Sequence, residues 1–219
     1  MRALVIGASG GIGRAIVETL KSRDADVTAL SRRDDGLDVT DEASVKHHVD
    51  ALDGTFDLIF VATGALVVEG YQPEKSLKSV SAEGLAGQFA VNAIGPALIL
   101  KHAVPLIPRD RRAVFAALSA RVGSIGDNAM GGWYGYRAAK AALNQLIHGG
   151  AIELSRSHRH AIAVCLHPGT VATDFTADYP GHDKVTPAEA ARNLLDVCDG
   201  LTTENTGGFY DYAAREIPW

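Results

Sequence analysis

The sequence predicts a doubly wound α/β fold on a mostly parallel sheet, in a single domain spanning residues 1–219. Three observations lead there. Short apolar runs alternate with longer helical patterns along the whole chain, as βαβ units require. A glycine-rich turn follows the first apolar run directly and opens a helix. The 219 residues are 47% apolar and 21% charged, enough for one substantial core, and no repeat, linker or low-complexity tract divides them.

The elements follow in order. Ala3–Ile6 reads as the first strand, and Ile12, Ile16 and Leu20 mark one face of a helix over 12–22. Val27–Leu30 is the second strand. Thr40 is placed to cap the next helix, with Asp41 and Glu42 in its first turn. Phe56–Ala62 forms a third core strand. A single long helix is expected over Ala82–Ala103, then a strand over Ala113–Leu118. A helix over Tyr134–Ser157 leads into strand Ala161–His167. Thr186-Pro187-Ala188-Glu189 has the form of a capping box with proline at the first helical position, opening a helix that ends near Gly200. Phe209–Tyr212 is the last strand. The irregular stretches Arg121–Trp133 and Thr176–Val185 fall after strands, where such folds place their ligand crevice.

Composition narrows the partners. A net charge of −5 gives no reason to expect a nucleic acid, which needs a clustered basic surface. The runs Arg109–Arg112 and Arg156–His160 read as solvated loop and helix-end charge. No stretch reads as the roughly 20 apolar residues of a membrane span. The chain enters its first strand with a run too short for a signal-peptide core. The cysteines, Cys165 and Cys198, suggest neither a disulfide framework nor a metal site, and Cys165 reads as a small buried hydrophobe. The expectation is a cytoplasmic protein with no metal, no membrane and no nucleic acid.

Gly7-Ala8-Ser9-Gly10-Gly11-Ile12-Gly13 carries the first piece of chemistry. Glycines let the backbone turn tightly and approach a pyrophosphate, and the following helix supplies N–H donors and a positive dipole end. Tyr136 and Lys140 carry the second. At i, i+4 on one helix they share a face. Tyrosine, at about 10, is a weak partner for proton transfer near neutrality, and a nearby ammonium lowers that value. Tyr134 has Ala138 at the same offset and lacks the cation. Ser119 ends a strand and can donate to a carbonyl oxygen where negative charge develops. Asn92 lies inside a helical run, where asparagine is a poor helix former.

Gly7, Gly11 and Gly13 follow a GxxxGxG spacing, and Tyr136-Arg137-Ala138-Ala139-Lys140 follows downstream. On these motifs the chain resembles the short-chain dehydrogenase/reductases over nearly its whole length. Ala62-Thr63-Gly64 matches the family's Asn-Asn-Ala-Gly turn only in part. Asn92, Ser119, Tyr136, Lys140, Pro168-Gly169 and Thr173 stand in the family's order. Val122-Gly123-Ser124-Ile125-Gly126-Asp127-Asn128 is similar to C-factor-like members, which resemble NADPH-dependent carbonyl reductases.

The resemblance implies a Rossmann fold with a seven-stranded sheet, and hydride transfer between a nicotinamide cofactor and a small-molecule carbonyl or alcohol. It implies a tetrad of Asn92, Ser119, Tyr136 and Lys140, with Asn92 holding a water that links Lys140 to solvent. Ser9 and Ile12 join the three glycines at the pyrophosphate, Asp38-Val39 meets the adenine, and Ala62–Gly64 passes beneath the adenosine ribose. Lys140 holds the nicotinamide ribose, while Pro168, Gly169, Val171 and Thr173 surround the carboxamide.

At the end of the second strand stands Ser31-Arg32-Arg33, with no acid before Asp34. A ribose 2′-hydroxyl selects an acid there and a 2′-phosphate selects arginine, so NADP(H) is the expected cofactor. Trp133, Phe175 and Tyr179 are candidate apolar walls for the substrate. The Ala/Gly-rich faces of 82–103 and 138–151 suit close helix packing, and family members pair these helices in homodimers or homotetramers. A dinucleotide-binding signalling protein with little turnover is the alternative, against which the aligned Tyr–Lys pair argues.

Overall fold

The structure is a computed structural model that describes residues 1–176 and 183–219. Strand β1 (Arg2–Ile6) leads into helix α1 (Gly11–Ser22), and β2 (Asp26–Leu30) follows. A four-residue helix α2 (Arg32–Asp35) and helix α3 (Glu42–Asp50) precede β3 (Leu58–Val61). Helices α4 (Ala82–Phe89) and α5 (Gly95–Ala103) lead to β4 (Ala113–Leu118). Then come α6 (Tyr134–Leu154), β5 (Ala161–His167), α7 (Pro187–Gly200) and β6 (Phe209–Asp211).

Among the described residues the sheet has six strands, in the order β2-β1-β3-β4-β5-β6, and every pairing is parallel. The expected seventh strand is absent among the described residues. Between β2 and α3 the chain has only residues 31–41. A parallel crossover needs a dozen or more residues before a strand can return, so this segment closes with one helical turn and leaves β2 at the edge. The reversal of strand order at β1 and β3 makes a crevice at the carboxyl ends of the strands.

The central strands are buried on both faces, which is why they read as continuous apolar runs. Alternate residues divide between two layers. Leu4, Ile6, Ile59, Phe115, Ala163 and Phe209 pack with Leu143 and Ile147 of α6, Ile99 of α5 and Val45 of α3. Val5, Phe60, Val114, Val164 and Leu166 pack with Ile16 and Leu20 of α1 and Leu194 of α7.

Several local readings change. The cap of α3 is Asp41, whose carboxylate accepts from the Ala43 N–H, while Thr40 instead donates to Asp38. Thr186 does cap α7, accepting from Glu189 N–H with Pro187 in the first turn. The single helix expected over 82–103 is interrupted by a π-helical turn over Ala90–Ile94. The run Ala82–Leu106 is long and apolar enough by composition to cross a bilayer, its most apolar 18 residues reaching a mean hydropathy of 1.4, contrary to the sequence reading. Here it buries Ile99, Leu100 and Ala103 in the core. The Arg109–Arg112 run is more than solvated charge. Arg111 pairs with Asp57 at 2.9 Å, and Arg112 donates to the carbonyls of Cys198 (2.5 Å) and Leu201 (3.0 Å), closing the C-terminal end of α7. Cys165 and Cys198 are free and buried.

Candidate active site

The glycine turn is fixed by contact distances. Gly7 adopts φ +85°, and a Cβ there would lie 2.9 Å from the Ala62 carbonyl carbon. A Cβ at Gly13 would lie 2.2 Å from the Gly7 oxygen, so only hydrogen fits where α1 leaves the turn. At Gly11 a Cβ would meet Thr173 Cγ2 at 2.6 Å, which places Thr173 against the glycine turn. Gly10 caps α1 with extended backbone and no side-chain acceptor. The helix therefore presents first-turn N–H donors, including that of Ile12, that helical geometry leaves without internal partners. Ser9 is half-buried beside them. Thr63 Oγ1, next to Gly7, is buried with no hydrogen-bond partner among the described residues.

At the end of β2, Ser31, Arg32 and Arg33 do not stand equally ready for an anion. Ser31 is buried and caps α2, accepting from Asp34 N–H; its hydroxyl donates to the Asp34 carboxylate at 3.0 Å. Asp35 accepts from Ser31 N–H at 2.7 Å. Arg33 pairs with Asp34 at 3.0 Å, which holds that carboxyl below its ordinary range. Arg32 makes no such pair among the described residues; its charge acts on Asp38, chiefly lowered by hydrogen bonds from Thr40. The sequence reading missed that both acids following the arginines fold back onto Ser31. Val39 packs under Gly95, where a Cβ would lie 2.9 Å from Val39 Cγ2.

Tyr136 and Lys140 project from the buried face of α6. Lys140 is 2% exposed and donates to the Leu118 carbonyl at 2.8 Å. Its ammonium stands 5.8 Å from the Tyr136 ring centroid. Burial lowers Lys140 to about 8. Burial raises the Tyr136 phenol above its usual value, so the expected lowering by Lys140 is not what this arrangement gives. Both groups hold their protons at neutral pH. Trp133 and Phe175 flank Tyr136, with ring centroids 6.2 and 5.7 Å away. Tyr179, the third candidate wall, lies outside the described residues.

Ser119 continues β4 past its last paired residue, its N–H donating to Leu166 O at 2.8 Å. Its hydroxyl donates to Asn144 Oδ1 at 2.6 Å. Asn92 occupies the π turn, fully buried. Its Nδ2 donates to Ala65 O and Gln88 Oε1, and its Oδ1 accepts from Ala65 N–H. At Gly64 a Cβ would lie 3.1 Å from Asn92 Oδ1 and 3.4 Å from Lys140 Nζ, so the β3 turn, the π turn and α6 converge there. Gly169 adopts φ +78° under the Tyr212 ring, following Pro168, and buried Val171 bridges to Val185.

Several residues here were not singled out from sequence. Asn144 continues the Tyr136–Lys140 face by one more turn, and that spacing was the signal available. Glu74, buried, accepts from Gly135 N–H at 3.1 Å and so steadies the start of α6 from a distant loop. Gln88 ties Asn92 to Leu66 O. Gly123 allows its turn to rest on α6, where a Cβ would lie 2.8 Å from Lys140 Cβ. His167 is held neutral, lowered to about 4 by burial, with Nδ1 lacking a partner among the described residues.

A parallel sheet with a glycine turn after its first strand and a Tyr–Lys pair at its carboxyl edge defines a dinucleotide-fold oxidoreductase architecture. A family profile described as enoyl-(acyl carrier protein) reductase matches residues 7–208. The chain belongs to the short-chain dehydrogenase/reductase family. It is 32% identical, over 99% of its length and 98% of the relative's, to a 1-hydroxy-2-glutathionyl-2-methyl-3-butene dehydrogenase of Rhodococcus. It is 35% identical to the C-signal protein of Myxococcus xanthus over 66% of this chain and 84% of that one. In fold it is similar to an NADPH-bound carbonyl reductase from chicken fatty liver, at a TM-score of 0.84 and 21% identity, covering 100% of this chain and 94% of that one. A Burkholderia multivorans short-chain dehydrogenase/reductase with bound NADP gives 0.83 at 23% identity, covering 100% and 99%.

Proposed function

We propose that this chain is an NADP(H)-dependent oxidoreductase that reduces an aldehyde, ketone or quinone to its alcohol, acting as one catalytic and dinucleotide-binding domain over 1–219. One observation carries the reading: buried Tyr136 and Lys140 lie one helical turn apart, with Gly64 and Asn92 meeting Lys140, which donates to the carbonyl of Leu118 just before Ser119. The glycine turn, in which Gly7 and Gly13 leave no room for a Cβ, and the orphaned Thr63 hydroxyl suit a dinucleotide. When bound, the nicotinamide supplies the hydride.

The chain's residues do the rest. Gly7, Ser9, Gly11, Ile12 and Gly13 bind the pyrophosphate, with Ala62, Thr63 and Gly64 beside the adenosine ribose. Arg32 takes most of the 2′-phosphate charge, because Arg33 and Ser31 are engaged with Asp34. Asp38 and Val39 border the adenine. Pro168, Gly169, Val171 and Thr173 orient the nicotinamide carboxamide, and Lys140 holds its ribose. Ser119 donates to the carbonyl oxygen, and Tyr136 delivers the proton as negative charge forms there. Asn92 fixes the Ala65 turn with most of its hydrogen-bonding capacity, so a linking water has only the rest of Oδ1 and nearby backbone to hold it. The protein is expected to work in the cytoplasm as a homodimer or homotetramer.

The test is NADPH consumption by the purified protein against a panel of aldehydes, ketones and quinones. Substrate-dependent consumption supports the reading. Tight NADPH binding with no turnover across the panel would favour the second reading, a dinucleotide-binding signalling protein, for which the likeness to the C-signal protein speaks.

A further inference from the structure

Ser119 and Asn144 form a buried pair, 4% and 2% exposed, with 2.6 Å between Oγ and Oδ1. In that arrangement the serine proton points at the amide oxygen. A hydroxyl has one proton and two lone pairs, so Ser119 can then only accept from anything else it meets. Asn144 Nδ2 meanwhile is buried without a partner among the described residues. An orphaned buried donor is costly, because it gives up its hydrogen bonds to water and gains none in return. A half-turn of the amide changes both facts. Nδ2 then donates to Ser119 Oγ, and the serine proton is released toward the crevice.

We propose that Asn144 is a positioning residue that donates its amide N–H to Ser119 and thereby aims the Ser119 proton at the substrate oxygen. The assignment rests on the reading of Ser119 as the donor to a carbonyl. The helix supports it, since Tyr136, Lys140 and Asn144 repeat at four-residue intervals on the buried face of α6. Helix and strand β4 thus hold the acid, the cation and the serine's partner in one rigid frame.

Three variants test it, each compared in the wild-type and Ser119→Ala backgrounds. Asn144→Asp offers only acceptor oxygens and should hold the serine proton to itself. It is expected to lower kcat about 10- to 100-fold with cofactor Kd changed less than about 3-fold, the loss of roughly one oriented hydrogen bond in the transition state. Asn144→Ala should lose a similar factor, and Asn144→Ser, which keeps a donor, should recover part of it. In the Ser119→Ala background all three should cost less than about 2-fold more, because the residue they act through is gone. The Asn144 side-chain amide protons give a readout free of turnover: one of them should shift in the NMR spectrum on Ser119→Ala. Full activity in Asn144→Asp, or the same fractional loss with and without Ser119, overturns the proposal. If the wild type itself consumes no NADPH, the oxidoreductase reading fails first, and an unmoved amide resonance then overturns the pairing separately.

Discussion

Lys140 is an ammonium placed where water is scarce, and that sets the pH at which it fails. Burial lowers it to about 8, while burial raises Tyr136. As pH rises, Lys140 therefore gives up its proton first, and the alkaline limb of the proposed reduction is expected to belong to it. Turnover should fall through about pH 8. Lys140→Arg keeps its charge to much higher pH and should move that limb upward by at least about one unit while lowering the maximum. A pH–rate profile of both proteins decides this, and an unmoved limb would assign it to another group.

The proposed 2′-phosphate site is also a matter of single residues. Arg33 is engaged with Asp34, and Arg32 is not. Arg32→Ala should weaken NADPH binding about 10- to 100-fold and leave NADH nearly unchanged, as expected for one charge-assisted contact partly screened by solvent. Arg33→Ala should cost less. Asp34→Asn should strengthen NADPH binding, because it removes a carboxylate beside the phosphate. Titrations of both cofactors at fixed ionic strength check all three, and equal losses in the two arginine variants would contradict the assignment.

At the scale of elements, the glycine turn and the π turn do different work. The turn holds its shape because Gly13 lies against Gly7 O, leaving 2.2 Å for a Cβ. Gly13→Ala must move backbone, so it should cost about 1–3 kcal/mol in stability and at least about 10-fold in cofactor affinity. Thermal melts and cofactor titration measure both, and an unchanged protein would show that the loop is more yielding than its contacts indicate. The turn was legible in sequence because glycine declares close approach. The π turn at Ala90–Ile94 was not, since its cause is tertiary: Asn92 and Gln88 hydrogen-bond to the turn after β3, and no local propensity encodes those partners. Asp41 replaced Thr40 as the α3 cap because the Thr40 hydroxyl donates to Asp38 two residues back.

At the scale of the molecule, alternation of apolar runs and helical faces revealed the layers and all six strands. The family resemblance overcounted the sheet by one strand, where the chain from 31 to 41 is too short to cross over. Tyr136, Lys140, Ser119 and Asn92 could be named from spacing and likeness, but Asn144, Glu74 and Gly123 act across contacts that only the packed structure reveals. Arg112 shows the same limit, since a residue of a charged loop closes the end of α7 some ninety positions on. Arg112→Met keeps the aliphatic stem and removes those donors, so it should destabilise the fold by about 1–3 kcal/mol without changing turnover at low temperature. Denaturant unfolding beside a turnover assay tests this, and unchanged stability would mean that water replaces the guanidinium there.

The role proposed for Tyr136 is that of proton donor in a hydride-transfer reaction. The most direct measurement is single-turnover reduction by Tyr136→Phe and Tyr134→Phe, using whichever carbonyl the wild type reduces, with cofactor Kd measured alongside. Tyr136→Phe should lose about 10²-fold or more in rate with cofactor affinity nearly intact. Tyr134→Phe, whose ring has no lysine one turn on, should lose less than about 3-fold, too little for a general acid. Equal losses in the two variants, or a Tyr136→Phe protein that still reduces its substrate at the wild-type rate, would contradict the account.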